Sequence, residues 1–179
     1  DPLASFPYAE DFDGGIFPPP SSYIINPDNG ITWELANTTG AAGTATSVMS
    51  INNFNYNAAG QEDVFSFVTL DMTQTAPGAT AMMTFDVAYR GYSATLLDDL
   101  RVDLSTDCGQ TFNPVYFKGG ATLATGANVT QNWQPTAASD WRNDSIDLTT
   151  YLGSNVVLRF VNICGYGNNL YVDHINVNV

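Results

Sequence analysis

In the stretch "YAEDFDGG", residues 8 to 15, three carboxylates stand within four positions of one another: Glu10, Asp11 and Asp13, around Phe12. Like charges this close repel unless a cation or an arginine neutralises them. Clustered carboxylate oxygens are also what a calcium ion takes. Near the other end, "NNLYVDHINVNV" alternates as a strand. Strict alternation puts Tyr171, Asp173, Ile175 and Val177 on one face and Leu170, Val172, His174 and Asn176 on the other. Asp173 then shares a face with a tyrosine and two aliphatics, where an uncompensated carboxylate is costly. Glu10 has the parity of Tyr8 and Phe12. First and last strands of a sandwich often lie side by side. If they do here, Glu10, Asp11, Asp13 and Asp173 form one nest that a cation must hold. The alternative is pairing with Arg90, Arg101 and Arg159, all in strand-like segments.

Nucleophilic and metal-hydrolase chemistry find little support. His174 is the only histidine, and strand neighbours point to opposite faces, so Asp173 is not expected to orient it as in a triad. There is no Gly-x-Ser-x-Gly elbow and no His or Cys cluster for zinc. No enzymatic activity is expected. A binding surface is better supplied. Trp133, Trp141, Tyr92 and Tyr166 offer rings, and Asp86, Arg90, Arg101 and Asp103 offer a polar strand face, the mixture that sugar sites use. Two cysteines, Cys108 and Cys164, allow one disulfide or two free thiols.

Positioning these groups falls to short strands. "TAMMTFDVAYR" and "DDLRVDLS" alternate with period two, and "NVVLRFVNI" is apolar on both faces except at Arg159, the pattern of a central strand. Further strands are expected at "ITWELA", "ATSVMSIN", "VFSFVTL", "PVYFKG", "NDSIDL" and "NLYVDHINV". No stretch carries a helical stripe. About ten strands with Gly, Pro and Asn turns predict an all-β, two-sheet antiparallel β-sandwich of jelly-roll type. The chain reads as one domain, 1–179, ordered from about 7 to 178 and cut from a larger secreted protein. Residues 121 to 139 are polar and small, and read as a long surface excursion. "STDCGQTF", residues 105 to 112, fits an Asp-box hairpin, with Asp107 accepting from turn amides and Gly109 free to take a positive φ.

Among 179 residues there are 18 acids and 5 Lys or Arg, a formal charge of −13. Such a surface repels nucleic acid and anionic membranes. No apolar run reaches the roughly 20 residues of a membrane span.

Both ends of the chain carry a family resemblance. "EDFDGGIFPPPSSYIINPDNGITWEL" resembles the opening of MAM domains, and "VVLRFVNICGYGNNLYVDHINV" resembles their ending. The chain is still more similar to the bacterial cleaved-adhesin and choice-of-anchor domains, which end in Gly-Tyr-Gly-Asn-Asn-Leu-Tyr-Ile-Asp-Asn-Ile. The resemblance implies a jelly roll outside the cell, with a structural calcium joining first strand, following loop and last strand. Matched by position, its ligands are Asp13, Asp28 of "NPDNG" and Asp173. His174 replaces the second acid of the closing pair, and Glu10 stands where the MAM opening has a cysteine. The implied role is a calcium-stabilised adhesion or accessory module at the bacterial cell surface. It would bind carbohydrate or a cell-surface protein beside neighbouring domains of its own polypeptide, with no nucleic acid and no membrane insertion. The alternative is a spacer attached to a secreted enzyme such as a protease.

Overall fold

In the computed structural model, which describes residues 3–4 and 6–179, thirteen strands form two sheets packed face to face. The first sheet runs from β10 (Asn113–Gly119) through β9 (Asp99–Ser105) to β12 (Asn155–Ile163). Along the far edge of β12 lie β6 (Glu62–Ser66) and β7 (Thr69–Asp71), end to end. Outside them are β3 (Tyr23–Ile25) and β1 (Leu3–Ala4). The second sheet runs from β11 (Arg142–Asp147) through β8 (Met82–Tyr89) to β13 (Leu170–Asn178). Next come β5 (Ala45–Ile51) and β2 (Tyr8–Glu10) in line, with β4 (Glu34–Thr39) outside β5. Every pairing among the described residues is antiparallel except β1 with β7. The expected jelly-roll sandwich is the fold.

Alternation explains the core. Met83, Phe85, Val87 and Tyr89 of β8 face Leu100, Val102 and Leu104 of β9 and Leu158 and Phe160 of β12 across the interior. Phe65, Phe67, Phe85 and Phe160 meet in edge-on or tilted pairs. The "VFSFVTL" segment is two strands rather than one, broken at Phe67 and Val68, both of which turn into the core. The strand that carries Glu10, β2, does pair with the last strand: Glu10 faces Ile175 and Tyr8 faces Val177.

The strict alternation expected for the last strand does not hold. Asp173 pairs with Asp86, but the next partner of β8 is reached only at Asn176, opposite Thr84, so β13 carries one extra residue. His174 takes it up at φ +46°. Leu170 and Val172 before the bulge, and Ile175 and Val177 after it, therefore all face the core. Tyr171 and Asp173 lie on the outer side.

The excursion at residues 120 to 141 folds back over the outer face of the second sheet. There Trp133 and Trp141 pack on Val48, Ala88 and Tyr171. Trp141 Nε1 donates to the Thr39 carbonyl at 2.8 Å, and the Trp133 carbonyl accepts from the Tyr171 hydroxyl at 3.0 Å. The hairpin at 105 to 112 forms as expected. Asp107 accepts from the Thr111 amide at 2.9 Å and hydroxyl at 2.6 Å, Gly109 sits at φ +82°, and Arg159 stacks 3.8 Å over Phe112.

No disulfide links the two cysteines: Cys108 is exposed and Cys164 buried. Seven paired residues of β9 and β12, Val157 with Ser105 through Ile163 with Asp99, hold them at opposite ends of the sheet. That is a separation on the order of 20 Å, far beyond bonding reach. A thiol reagent is expected to titrate one group in the native protein and two after denaturation. Two reactive groups in the native state would contradict this placement.

Candidate functional site

The acids of the opening motif do not converge. Among the described residues, no three His, Cys, Asp or Glu side chains gather closely enough to hold a metal between them. Glu10 follows Tyr8 toward the inner edge, and its Oε1 accepts from the Phe12 amide at 2.7 Å. Burial pushes its carboxyl up. Asp11 is exposed and caps the Asp13 amide at 3.1 Å. Asp13 reaches the outer side of β5, accepting from the Ser47 amide at 2.9 Å and the Thr46 hydroxyl at 3.1 Å. Those bonds, the Ser47 amide above all, hold its carboxyl low. Asp28 stands apart in its own loop, bound to the Gly30 amide and the Tyr56 hydroxyl, both at 2.8 Å.

Asp173 is wholly buried. Its Oδ1 accepts from the His174 amide at 2.8 Å, and its Oδ2 has the His174 ring nitrogen at 3.0 Å without a well-aligned hydrogen bond. The same ring nitrogen is 3.4 Å from Asp86. Burial raises the Asp173 carboxyl to about 7; the His174 amide bond and imidazole oppose this, and Asp86 and Asp13 add to it. The bulge thus brings His174 against Asp173, contrary to the strand-neighbour expectation. The side chains at the paired chain ends do not fit a calcium ion. An imidazole nitrogen occupies the space between two carboxylates, where a hard cation would need oxygen. The arginines do not serve this cluster either. Arg90 pairs with Asp140 at 2.6 Å, Arg101 with Glu62 and Asp103 at 2.8 Å each, and Arg159 with Asp103 at 3.0 Å.

The polar strand face expected to be shared is two faces. Asp86 and Arg90 belong to β8 and the second sheet; Arg101 and Asp103 belong to β9 and the first. Each is engaged within the protein. Asp86 accepts from the Asn143 amide at 2.8 Å, and Arg90 lies 5.0 Å from the centre of the Trp133 ring. Trp133 and Trp141 anchor the excursion to the sheet and so are not open platforms.

Tyr92 and Tyr166 do come together. With Phe54, Asn55, Leu96 and Gly167 they line an open cleft of 230 Å³ at the end of the sandwich where β5 and β8 finish and β13 begins. Phe54 and Tyr92 have ring centres 6.2 Å apart, and Tyr166 is 38% exposed. The volume is below the roughly 300–1,000 Å³ of most small-molecule pockets, and suits one ring of a longer ligand. A larger groove of 490 Å³ at the opposite end is lined by Tyr23, Cys108, serines and threonine, with no charged side chain.

Tyr166 is placed by a carboxylate that sequence reasoning missed. Asp98 is wholly buried, and its two oxygens accept from the amides of Gly165 (2.7 Å), Gly167 (3.2 Å) and Asn168 (2.9 Å) and from the Tyr89 hydroxyl (3.1 Å). Burial pushes this carboxyl up, and the amides pull it back. The "CGYGNN" turn is therefore wrapped around Asp98. A Cβ on Gly165 would lie 1.8 Å from the Leu97 carbonyl oxygen, and one on Gly167 2.4 Å from the Asp98 carboxylate. Between them Tyr166 takes φ +57° and turns its ring outward. The turn continues into Asn168 and Asn169. Asn168 Nδ2 donates to the carbonyls of Val129 and Gln131, both at 2.9 Å, and Asn169 Nδ2 to that of Trp133 at 3.0 Å. The cleft and the excursion thus share one support.

No protein-family model matches the sequence, and no curated protein matches it. Solved structures do match in fold. The K1 cleaved adhesin domain of Lys-gingipain from Porphyromonas gingivalis W83 superposes with a TM-score of 0.65 at 18% identity, over 96% of this chain and 97% of that one. The CBM27-1 module of Caldicellulosiruptor saccharolyticus, solved with mannohexaose, gives 0.58 at 11% identity over 96% of both chains. The family 11 carbohydrate-binding module of Clostridium thermocellum, solved with a β-1,3-1,4-mixed-linked tetrasaccharide, gives 0.53 at 10% identity, covering 94% and 92%. The likeness to cleaved-adhesin domains read from the two ends of the sequence is met across the whole fold. Among the described residues, no helix is long and apolar enough to cross a membrane.

Proposed function

We propose that this chain is a non-catalytic, extracellular binding module for carbohydrate, and that its ligand enters the cleft of Phe54, Tyr92 and Tyr166. One observation carries the reading: three aromatic side chains from three separate loops meet at an open cleft, and a dedicated buried carboxylate holds the most exposed of them in place. Aromatic faces stack on the C–H faces of sugar rings, while the Asn55 side chain and nearby backbone groups can bond hydroxyls. The fold shared with modules solved in complex with oligosaccharides supports the substrate class.

A glycan array followed by affinity electrophoresis tests this. Retention on a defined polysaccharide is expected, and Tyr166→Ala and Tyr92→Ala are each expected to weaken it about tenfold or more, the loss of one stacked ring. Both substitutions are at the surface and should leave the melting temperature nearly unchanged. Retention that survives both would place the ligand elsewhere. Silence across the panel would favour the spacer role beside a secreted enzyme.

A further inference from the structure

The aromatic cleft is short, and packed chain stands on both flanks of the turn that carries Tyr166. On one flank the turn is bonded to the loop after β5. The Gly60 amide donates to the Cys164 carbonyl at 2.7 Å, the Cys164 amide to the Gln61 carbonyl at 2.9 Å, and the Cys164 thiol to the Tyr56 carbonyl at 3.1 Å. On the other flank, Asn168 and Asn169 hold the carbonyls of Val129, Gln131 and Trp133 in the excursion. The remaining walls are bonded too. The Phe54 amide donates to Asn169 Oδ1 at 3.3 Å, and the amides of Tyr92 and Ser93 donate to the Leu96 carbonyl at 3.2 and 3.4 Å. The cleft of 230 Å³ is therefore preformed and opens outward to solvent.

No aromatic platform continues the cleft onto a sheet face. Trp133 and Trp141 pin the excursion over the outer side of the second sheet. The outer side of the first is occupied by the pairs of Arg101 with Glu62 and Asp103 and of Arg159 with Asp103. The exposed rings there, Tyr23 of β3 and Phe117 of β10, stand on opposite edge strands, four strand spacings or about 19 Å apart. The cleft lining holds no charged side chain. No base is free to meet an acidic sugar either: Arg90, Arg101, Lys118, Arg142 and Arg159 are each ion-paired, in a chain of net charge −13. The rim offers neutral polar groups instead. Asn55 Nδ2 spends one hydrogen on Asn52 Oδ1 at 3.2 Å, which leaves the second hydrogen and the amide oxygen for a hydroxyl.

We propose, on the reading of the cleft as a sugar site, that it takes the non-reducing terminal ring of a neutral glycan end-on and does not take the interior of a chain. One ring between Phe54, Tyr92 and Tyr166 fills the available space. A chain running on in both directions would have to cross the loop of residues 56 to 61 on one flank and the excursion on the other. Glycans attached to a surface are held through their reducing ends, so the end they present is the non-reducing one. The hydroxyl that is free on that ring, and is locked in a glycosidic bond on interior rings, is the partner for Asn55. A polar site built for a hydroxyl discriminates strongly against rings that lack it. Such a site counts chain ends: a branched glycan offers many, and a linear chain offers one whatever its length.

Calorimetric titration of the full chain provides the test. The ligands are both anomers of the methyl glycosides of the neutral hexoses and pentoses, and the linear oligosaccharides, disaccharide to hexasaccharide, of each sugar. Affinity per chain is expected to change by less than about threefold between disaccharide and hexasaccharide, with one protein per oligosaccharide. Opening the reducing-terminal ring of the hexasaccharide with borohydride should leave binding unchanged. Oxidising the non-reducing ring to a uronic acid should weaken it about tenfold or more. Affinity that climbs about tenfold or more with chain length would overturn the proposal. So would loss of binding on borohydride reduction, or equal binding of the uronic acid form. If binding that fails in any of these ways is still lost in Tyr166→Ala, the cleft remains the sugar site and only the end-on mode falls. Binding that survives both Tyr166→Ala and Tyr92→Ala, or no binding to any sugar, would overturn both.

Discussion

An Asp98→Ala variant is expected to melt about 10 °C below the parent protein. The substitution removes one carboxylate and strands four donors: the amides of Gly165, Gly167 and Asn168 and the hydroxyl of Tyr89. Each buried unsatisfied donor costs about 1–3 kcal/mol. Local relaxation and water entry overlap, so the total is about 4 kcal/mol. For a domain of this size each kcal/mol shifts melting by about 2–4 °C. Asp98→Asn should recover little, because one face of the new amide presents hydrogens to amides that are themselves donors. The same variants should bind glycan poorly, since the turn that presents Tyr166 loses its centre. Melting within about 3 °C of the parent would show that the carboxylate does not hold the turn.

Trp141→Ala should be the second most damaging change. The indole seals the excursion to the outer face of the second sheet over Val48, Ala88 and Tyr171 and bonds the Thr39 carbonyl. Losing that contact area and the hydrogen bond should cost about 3 kcal/mol. Its signature differs from that of Asp98→Ala. The uncovered patch should bind a hydrophobic dye, and a protease should cut between residues 121 and 139 while the sandwich stays folded. Trp141→Phe keeps most of the area, so it should lose about 1 kcal/mol and show neither effect. A parent-like dye and cleavage pattern in Trp141→Ala would mean that the excursion is held by Trp133 and the asparagines alone.

How much of this was legible in the sequence depends on how local each cause is. β12 matches its predicted span, Asn155–Ile163, because a strand apolar on both faces over most of its length needs no outside information. The Asp-box hairpin forms because its bonds close within eight residues. The bulge at His174 was illegible: an extra residue is defined only against the pairing of β13 with β8, a partner some ninety positions away. That single residue also misled the reading of the acids, since it sets which face Asp173 and His174 take. The four shortest strands, β1, β2, β3 and β7, span two or three residues, too few for any periodicity to show.

Two buried acids were missed although the sequence carried a signal. Asp98 has the parity of Leu100, Val102 and Leu104, and Asp63 that of Phe65 and Phe67. An acid in step with an apolar face is either an error of register or a group the core has a use for. Here both are buried, Asp98 meeting four donors and Asp63 set beside the hydroxyls of Thr32 and Tyr56. The aromatic cleft was half legible. Tyr92 and Tyr166 were singled out by type, but Phe54 joins them only through the meeting of three loops.

The pairing of β2 with β13 also sets how the domain would bear tension. Tyr8, where the chain enters β2, lies opposite Val177, where it is about to leave β13. Force transmitted along the backbone through both strands would therefore peel them apart from that end. The cross-links would be loaded one after another like the teeth of a zip, whereas a shear geometry would load them together. Once the two-residue pairing of β1 with β7 has parted, the pairs Val177–Tyr8, Asn176–Ala9 and Ile175–Glu10 stand in that path. Carried in a string of domains, this one would yield early at its seam and lengthen under a modest pull.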